Sequence, residues 1–224
     1  MQLGMVKSFV SGGFAKAMSL VFMAELFDKT FFVAMLLAMR TSKLFAFNAS
    51  IIALGTMSFI SGGIGAVVGK LPFISKTFFG LALQEIITAG FLTYFGVKIL
   101  READGSNAAG EEEEAQESLD SMDEDHAKVG VINRLKNKSL FLKSVMMVFM
   151  AEWGDRSMLA TIALGASMNP MTVALGATGG HALATLLAVQ GGGIMTKYLD
   201  EKKVSRFSGS LFIFFAFTTL FRLY

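Results

Sequence analysis

The segment FAKAMSLVFMAELFDKT (Phe14 to Thr30) recurs 127 positions further on as FLKSVMMVFMAEWGDRS (Phe141 to Ser157). The copies share Phe, Lys, Val-Phe-Met-Ala-Glu and Asp directly, and match Lys with Arg and Thr with Ser by type. Each therefore carries Glu-x-x-Asp-(Lys/Arg)-(Thr/Ser) inside a long apolar run. A repeat of this kind constrains the fold more than any single segment, because whatever accommodates one charged motif in apolar surroundings must do so twice.

The apolar surroundings extend over most of the chain. Hydrophobic residues make up 53% and charged residues 17%, and 11 of the 18 acids lie between Glu102 and Asp125. What remains is too poor in charge for an ordinary soluble domain. Six stretches are long enough for a hydrocarbon core of roughly 30 Å, which takes about 20 helical residues. They run from Phe14 to Met39, Phe47 to Gly69, Phe78 to Leu100, Leu140 to Ala166, Met171 to Tyr198 and Phe207 to Leu223. In the third, Gln84 and Glu85 mark an interfacial end. The first run contains charge and exceeds a signal-peptide core, so it reads as mature sequence; prior removal of a transit peptide is compatible with this.

The expected fold is an all-α integral membrane protein whose six transmembrane helices form two three-helix repeats, residues 1–100 and 140–224. The later spans align more loosely, through IALG (Ile52 to Gly55) with VALG (Val173 to Gly176), and through Gly90-x-Leu92 with Gly209-x-Leu211. With three spans per copy, the second copy enters from the opposite side, so the repeats are inverted. Between them, residues 101–139 contain EEEEAQESLDSMDED and too few apolar residues to fold alone, which predicts a solvated, disordered linker. Leaving aside Lys29 and Arg156, 13 Lys and Arg fall on the linker side of the spans and five on the other. The positive-inside rule then places the linker in the cytosol, or in the stroma of a plastid.

Two classes of chemistry drop out. The Lys and Arg residues sit at the edges of apolar runs and form no basic stripe, so nucleic acid is not an expected partner. The chain has no cysteine, which excludes disulfides, thiolate nucleophiles and thiolate metal sites. Metal ligands must be oxygen or imidazole.

On a continuous helix, Glu25, Asp28 and Lys29 fall within an arc of about 100°, near the middle of the first span. Glu152, Asp155 and Arg156 repeat this in the fourth. A mid-membrane ion costs at least about 2.5 to 3.5 kcal/mol on insertion scales, so all six must face the protein interior or a wet cavity. One reading makes Glu25 with Lys29, and Glu152 with Arg156, i,i+4 pairs that hold the repeats together. It leaves Asp28 and Asp155 without assigned partners. The other counts four carboxylates against two cations, a formal charge of minus two that a divalent cation or two protons would balance. Oxygen donors suit Ca²⁺, Mn²⁺ and Mg²⁺, and because Mg²⁺ sheds its water reluctantly, a site that must release its ion favours Ca²⁺ and Mn²⁺. Protons compete for the same oxygens, which supplies a route to exchange.

Thr30 and Ser157 lie roughly 140° from the glutamates on a continuous helix, placed to bond to backbone or a neighbouring helix ahead of metal. His181, in the Gly-Gly-His step of span five, has two readings of equal weight, as a metal ligand or proton shuttle and as a hydrogen-bonded structural residue. The glycines of spans two and five permit close helix contact.

These residues resemble the GDT-one family, formerly uncharacterised protein family sixteen, of Golgi, plastid and bacterial Ca²⁺/Mn²⁺:proton exchangers. The family hallmark, a pair of Glu-x-Gly-Asp-(Lys/Arg)-(Thr/Ser) motifs in spans one and four, is matched by ELFDKT from Glu25 and EWGDRS from Glu152. The segment VALGATGGHALATLLAVQGGGI (Val173 to Ile194) is similar to the fifth span of eukaryotic members, and VKILRE to the end of their third. The first motif departs from the pattern at Phe27, where the family has glycine.

The resemblance implies a secondary transporter rather than an enzyme, without a cofactor. It would export Mn²⁺ or Ca²⁺ from cytosol or stroma in exchange for H⁺, with Glu25, Asp28, Glu152 and Asp155 carrying the ions. The expected location is a Golgi or plastid membrane, or a bacterial inner membrane, with membrane lipid as surroundings and the oligomeric state open. The rival from another class is a non-transporting scaffold whose acidic linker recruits a partner.

Overall fold

The structure is a computed structural model, and it describes residues 12–71, 77–78, 81–103, 108–127, 133–198 and 201–221. These form helices α1 (Gly13–Glu25), α2 (Lys29–Arg40), α3 (Lys43–Gly69), α4 (Leu83–Glu102), α5 (Ala108–Ala127), α6 (Asn133–Ala151), α7 (Arg156–Ser167), α8 (Pro170–Tyr198) and α9 (Glu201–Leu220). Two-residue strands β1 (Thr77–Phe78) and β2 (Leu81–Ala82) pair antiparallel just before α4. The third apolar stretch thus enters its helix at Leu83 rather than Phe78, leaving Glu85 in the first turn.

Among the described residues, three helices are each long and apolar enough to cross a membrane: α3, α4 and α8 through Gly191. The first and fourth predicted spans do not form single helices. Each is divided at its acidic motif, into α1 and α2 and into α6 and α7. The order of a broken pair, a long helix and a third helix therefore occurs twice, with α5 between the two sets.

Local chemistry explains several boundaries. Ser42 starts α3, its hydroxyl accepting from the Phe45 N–H at 3.2 Å. Asn169 precedes α8 and accepts from the Met171 N–H at 3.0 Å, while Pro170 occupies the first helical position, where a missing N–H costs nothing. Inside α3 the hydroxyls of Thr56, Ser58 and Ser61 donate to the carbonyls of Ile52, Leu54 and Met57, so none brings an unsatisfied donor into apolar surroundings.

Packing crosses between the two sets. Helices α1 and α2 lie on α8, α6 and α7 lie on α3, and α3 packs on α8. Small residues permit the approach. A β-carbon at Gly180 of α8 would stand 2.7 Å from the Met18 carbonyl oxygen of α1. Between α4 and α9 the contact is reciprocal: a β-carbon on Gly96 would lie 2.9 Å from the Gly209 carbonyl oxygen, and one on Gly209 2.9 Å from that of Gly96. Gly90, which the sequence pattern aligns with Gly209, has open space around it instead.

Two apolar cores form among the described residues. One gathers Phe27, Phe31, Phe32 and Leu37 of the α2 region with Ala49 of α3, Val148 of α6 and Val189 of α8. The other gathers Leu20 and Val21 of α1, Leu92 of α4, Leu164 of α7, Val173 of α8 and Phe212 of α9. The first also contains Ala115 and Leu119 of α5, which are 0% and 2% exposed. The stretch predicted to be a solvated, disordered linker is thus helical over Ala108–Ala127 and packs on α2. An apolar pair four residues apart in an otherwise acidic segment suffices to give that helix a buried stripe.

Candidate functional site

Both acidic motifs sit at helix breaks with the same backbone path. After Glu25 the chain leaves α1, Phe27 takes φ +61°, and Asp28 (φ −80°, ψ 165°) opens α2. After Glu152, Gly154 takes φ +86°, and Asp155 (φ −68°, ψ 164°) opens α7. In each copy the Asp N–H returns to the Glu carbonyl, at 3.3 Å for Asp28 and 3.1 Å for Asp155. Glycine occupies the left-handed region freely, whereas a side chain there costs about 1–2 kcal/mol. Phe27 is held by burial: its ring is 5.5 Å from that of Phe31 and 6.4 Å from that of Phe32.

The break changes which groups meet. Glu25 and Glu152 are 3% and 1% exposed, and each accepts a hydrogen bond from the hydroxyl five residues on, Thr30 Oγ1 to Glu25 Oε2 at 2.8 Å and Ser157 Oγ to Glu152 Oε2 at 3.1 Å. On continuous helices these hydroxyls would point away from the glutamates, and the turn brings them back. They orient the carboxylates by leaving Oε1 of each glutamate buried without a hydrogen-bond partner.

The i,i+4 ion pairs expected on continuous helices do not form. Arg156 reaches from the second motif to the first, donating from Nη2 to Asp28 Oδ1 at 2.6 Å and to the Ala24 carbonyl at 3.1 Å. Lys29 makes no reciprocal reach to Asp155. Its Nζ lies 3.3 Å from Glu114 Oε2 of α5, and Arg40, at the far end of α2, pairs with Asp120 at 2.5 Å. Asp155 instead caps α7, its Oδ2 accepting from the Ser157 N–H at 3.0 Å.

Of the four predicted ion-carrying carboxylates, three come together: Glu25, Asp28 and Glu152 each offer an oxygen within 4.8 Å of the others. Three carboxylates against the Arg156 guanidinium again give a formal charge of minus two. His181 of α8 is 3% exposed, with Nδ1 3.5 Å from Glu25 Oε1, so it joins the cluster through that glutamate. Oxygen donors at this spacing can surround a hard divalent cation or share protons. Glu114 could not be singled out in advance, since nothing distinguishes it from its acidic neighbours until α5 lies on α2.

Apolar spans that keep ionisable side chains at paired helix breaks in their interior define a membrane transporter as the class. The particular family follows from comparison: the model described as "Divalent cation/proton antiporter GDT1" matches residues 13–107 and 140–224, and the chain belongs to that family. Its members are secondary transporters, not enzymes, and the transported species are divalent cations and protons.

The chain is 40% identical to the "PAM71-homolog, chloroplastic" protein of Arabidopsis thaliana over 93% of its own length and 59% of the relative's. It is 38% identical to "GDT1-like protein 2, chloroplastic" of Oryza sativa subsp. japonica over 96% of its own length and 63% of the relative's. With "GDT1-like protein 3" of Arabidopsis thaliana the identity is 34%, over 91% and 68%. The chain thus spans about six-tenths of the length of the first two. No solved structure matches it.

Proposed function

We propose that this chain exchanges Mn²⁺ or Ca²⁺ for protons across a plastid membrane, exporting the metal from the stroma by alternating access between two inverted repeats. The observation that carries this reading is the cluster of Glu25, Asp28 and Glu152, contributed by both motifs, with two buried glutamate oxygens lacking hydrogen-bond partners. A divalent ion or protons would satisfy those oxygens in turn, and the minus-two charge matches either cargo. Asp155 is the fourth carboxylate of the proposed site and enters when its cap on α7 is released. The crossed packing of α1 on α8 and α6 on α3 supports the repeat geometry, and the chloroplast names of the relatives support the location.

A scaffold role would present the acidic linker to a partner, whereas Glu114 and Asp120 are turned onto α2. The test is Mn²⁺-driven proton movement with purified protein in liposomes. Wild type should couple the two fluxes, and Glu25→Gln or Glu152→Gln should abolish both. Equal activity in wild type and variants would remove the assignment.

A further inference from the structure

Exchanging the two sets of helices converts α1 into α6, α2 into α7, α3 into α8 and α4 into α9. Most of the packing obeys this exchange, since α1 on α8 becomes α6 on α3 and α2 on α8 becomes α7 on α3. The third helices do not obey it. Helix α4 packs on α7 and α9 on α1, closing the second core over Leu20, Leu92, Leu164 and Phe212. The exchanged contacts, α9 on α2 and α4 on α6, are not among the principal contacts of the described residues. On that flank the first core is closed by α5, through Ala115 and Leu119.

The electrostatic asymmetry falls in the same place. Arg156 crosses to Asp28, but its counterpart Lys29 is held by Glu114 of α5, and among the described residues no Lys or Arg pairs with Asp155. Helix α5 therefore replaces two partners that the exchange predicts, a third helix on α2 and a carboxylate on Lys29.

We propose that α5 is an autoinhibitory strap: docked on α2 and bonded to Lys29, it holds the transporter in the arrangement seen here, and it must leave α2 before α9 can close on that flank and Lys29 can turn to Asp155. This rests on the antiport reading above. The strap is held weakly enough to act as a control. Its ion pairs are partly exposed, with Glu114 and Asp120 side chains 64% and 58% accessible, and pairs of that kind contribute no more than about 1 kcal/mol each. Among the described residues, α5 contributes two small-to-medium side chains to the apolar contact, Ala115 and Leu119.

The decisive pair lies away from the ion cluster. Asp120→Arg sets two cations against each other at Arg40 and should undock α5, raising the initial rate of Mn²⁺ uptake into liposomes under a pH gradient by about threefold to tenfold. The charge swap Arg40→Asp with Asp120→Arg should restore the wild-type rate. Because the chain has no cysteine, spin labels at Glu117→Cys and Lys43→Cys report docking directly. Their distance distribution should broaden and lengthen in Asp120→Arg and recover in the swap. A wild type that transports while Asp120→Arg transports at the same or a lower rate overturns the strap and leaves the antiport reading standing. A wild type that moves no divalent cation removes both.

Discussion

Arg156 Nη2 donates to Asp28 Oδ1 at 2.6 Å, joining the two motifs through residues 128 positions apart in sequence. The same nitrogen donates to the Ala24 carbonyl, so the guanidinium clamps the end of α1 and the start of α2 together. Lysine would keep the charge but lose the planar two-point hold. Arg156→Ala should cost about 2 kcal/mol, seen as a lower Tm in detergent, because Asp28 loses the charge-assisted hydrogen bond from Arg156. Arg156→Lys should retain most of that stability and still lose transport rate.

Thr30 and Ser157 fix the glutamates rather than bonding to distant helices. Thr30→Val removes the donor to Glu25 Oε2 at nearly constant volume and exposes a buried carboxylate oxygen to no compensating group. Mn²⁺ affinity, measured by equilibrium binding to purified protein, should fall about tenfold, equivalent to the roughly 1–3 kcal/mol of an unsatisfied buried acceptor. Ser157→Ala should do the same through Glu152, and Thr30→Ser should remain close to wild type.

Gly154 separates backbone strain from crowding. Its φ is +86°, and an added β-carbon would meet nothing within 4 Å. Gly154→Ala should therefore lose about 1–2 kcal/mol of stability from the left-handed backbone alone. Phe27 already bears that strain at the equivalent position, and its ring packing offsets it. Phe27→Gly should thus be destabilising by thermal unfolding in spite of the relaxed backbone, since emptying a buried Phe site costs about 3–5 kcal/mol.

The Gly96 and Gly209 contact admits no side chain. Leucine at Gly96 would drive into the Gly209 carbonyl and Ile213 and should separate α4 from α9, costing about 1–3 kcal/mol or more and lowering the yield of folded protein. Leucine at Gly90, with open space around it, should be tolerated in the same assay.

These expectations divide along what a one-dimensional pattern can hold. Apolar length located α3, α4 and α8, and the repeat located both acidic motifs, because hydropathy and self-similarity are properties of neighbouring residues. The breaks were not legible. Phe27 gives no glycine signal, and the helical period that places Glu25, Asp28 and Lys29 on one face presumes the continuity that fails there. Once the chain turns, Thr30 and Ser157 reverse direction and the predicted ion pairs exchange partners. Docking of α5 was hidden for a different reason: an acidic composition reads as solvated unless the neighbouring helix is known to present Lys29 and Arg40 at its two ends. Among the four carboxylates the pattern could not show that Asp155 caps a helix while Asp28 faces its neighbours.

The helix breaks also organise the electric field inside the bundle. Helices α1 and α6 end at the motifs and bring the partial negative charge of their terminal carbonyls, while α2 and α7 begin there and bring the partial positive charge of their first amides. An uninterrupted span would leave both poles at the membrane surfaces. Interrupting it moves four helix poles into the low-dielectric interior, where opposite poles lie a few residues apart and their fields are least attenuated. A cation there would meet a backbone potential as well as the side chains, one that persists when the carboxylates are protonated and that rotates rigidly with the helices generating it.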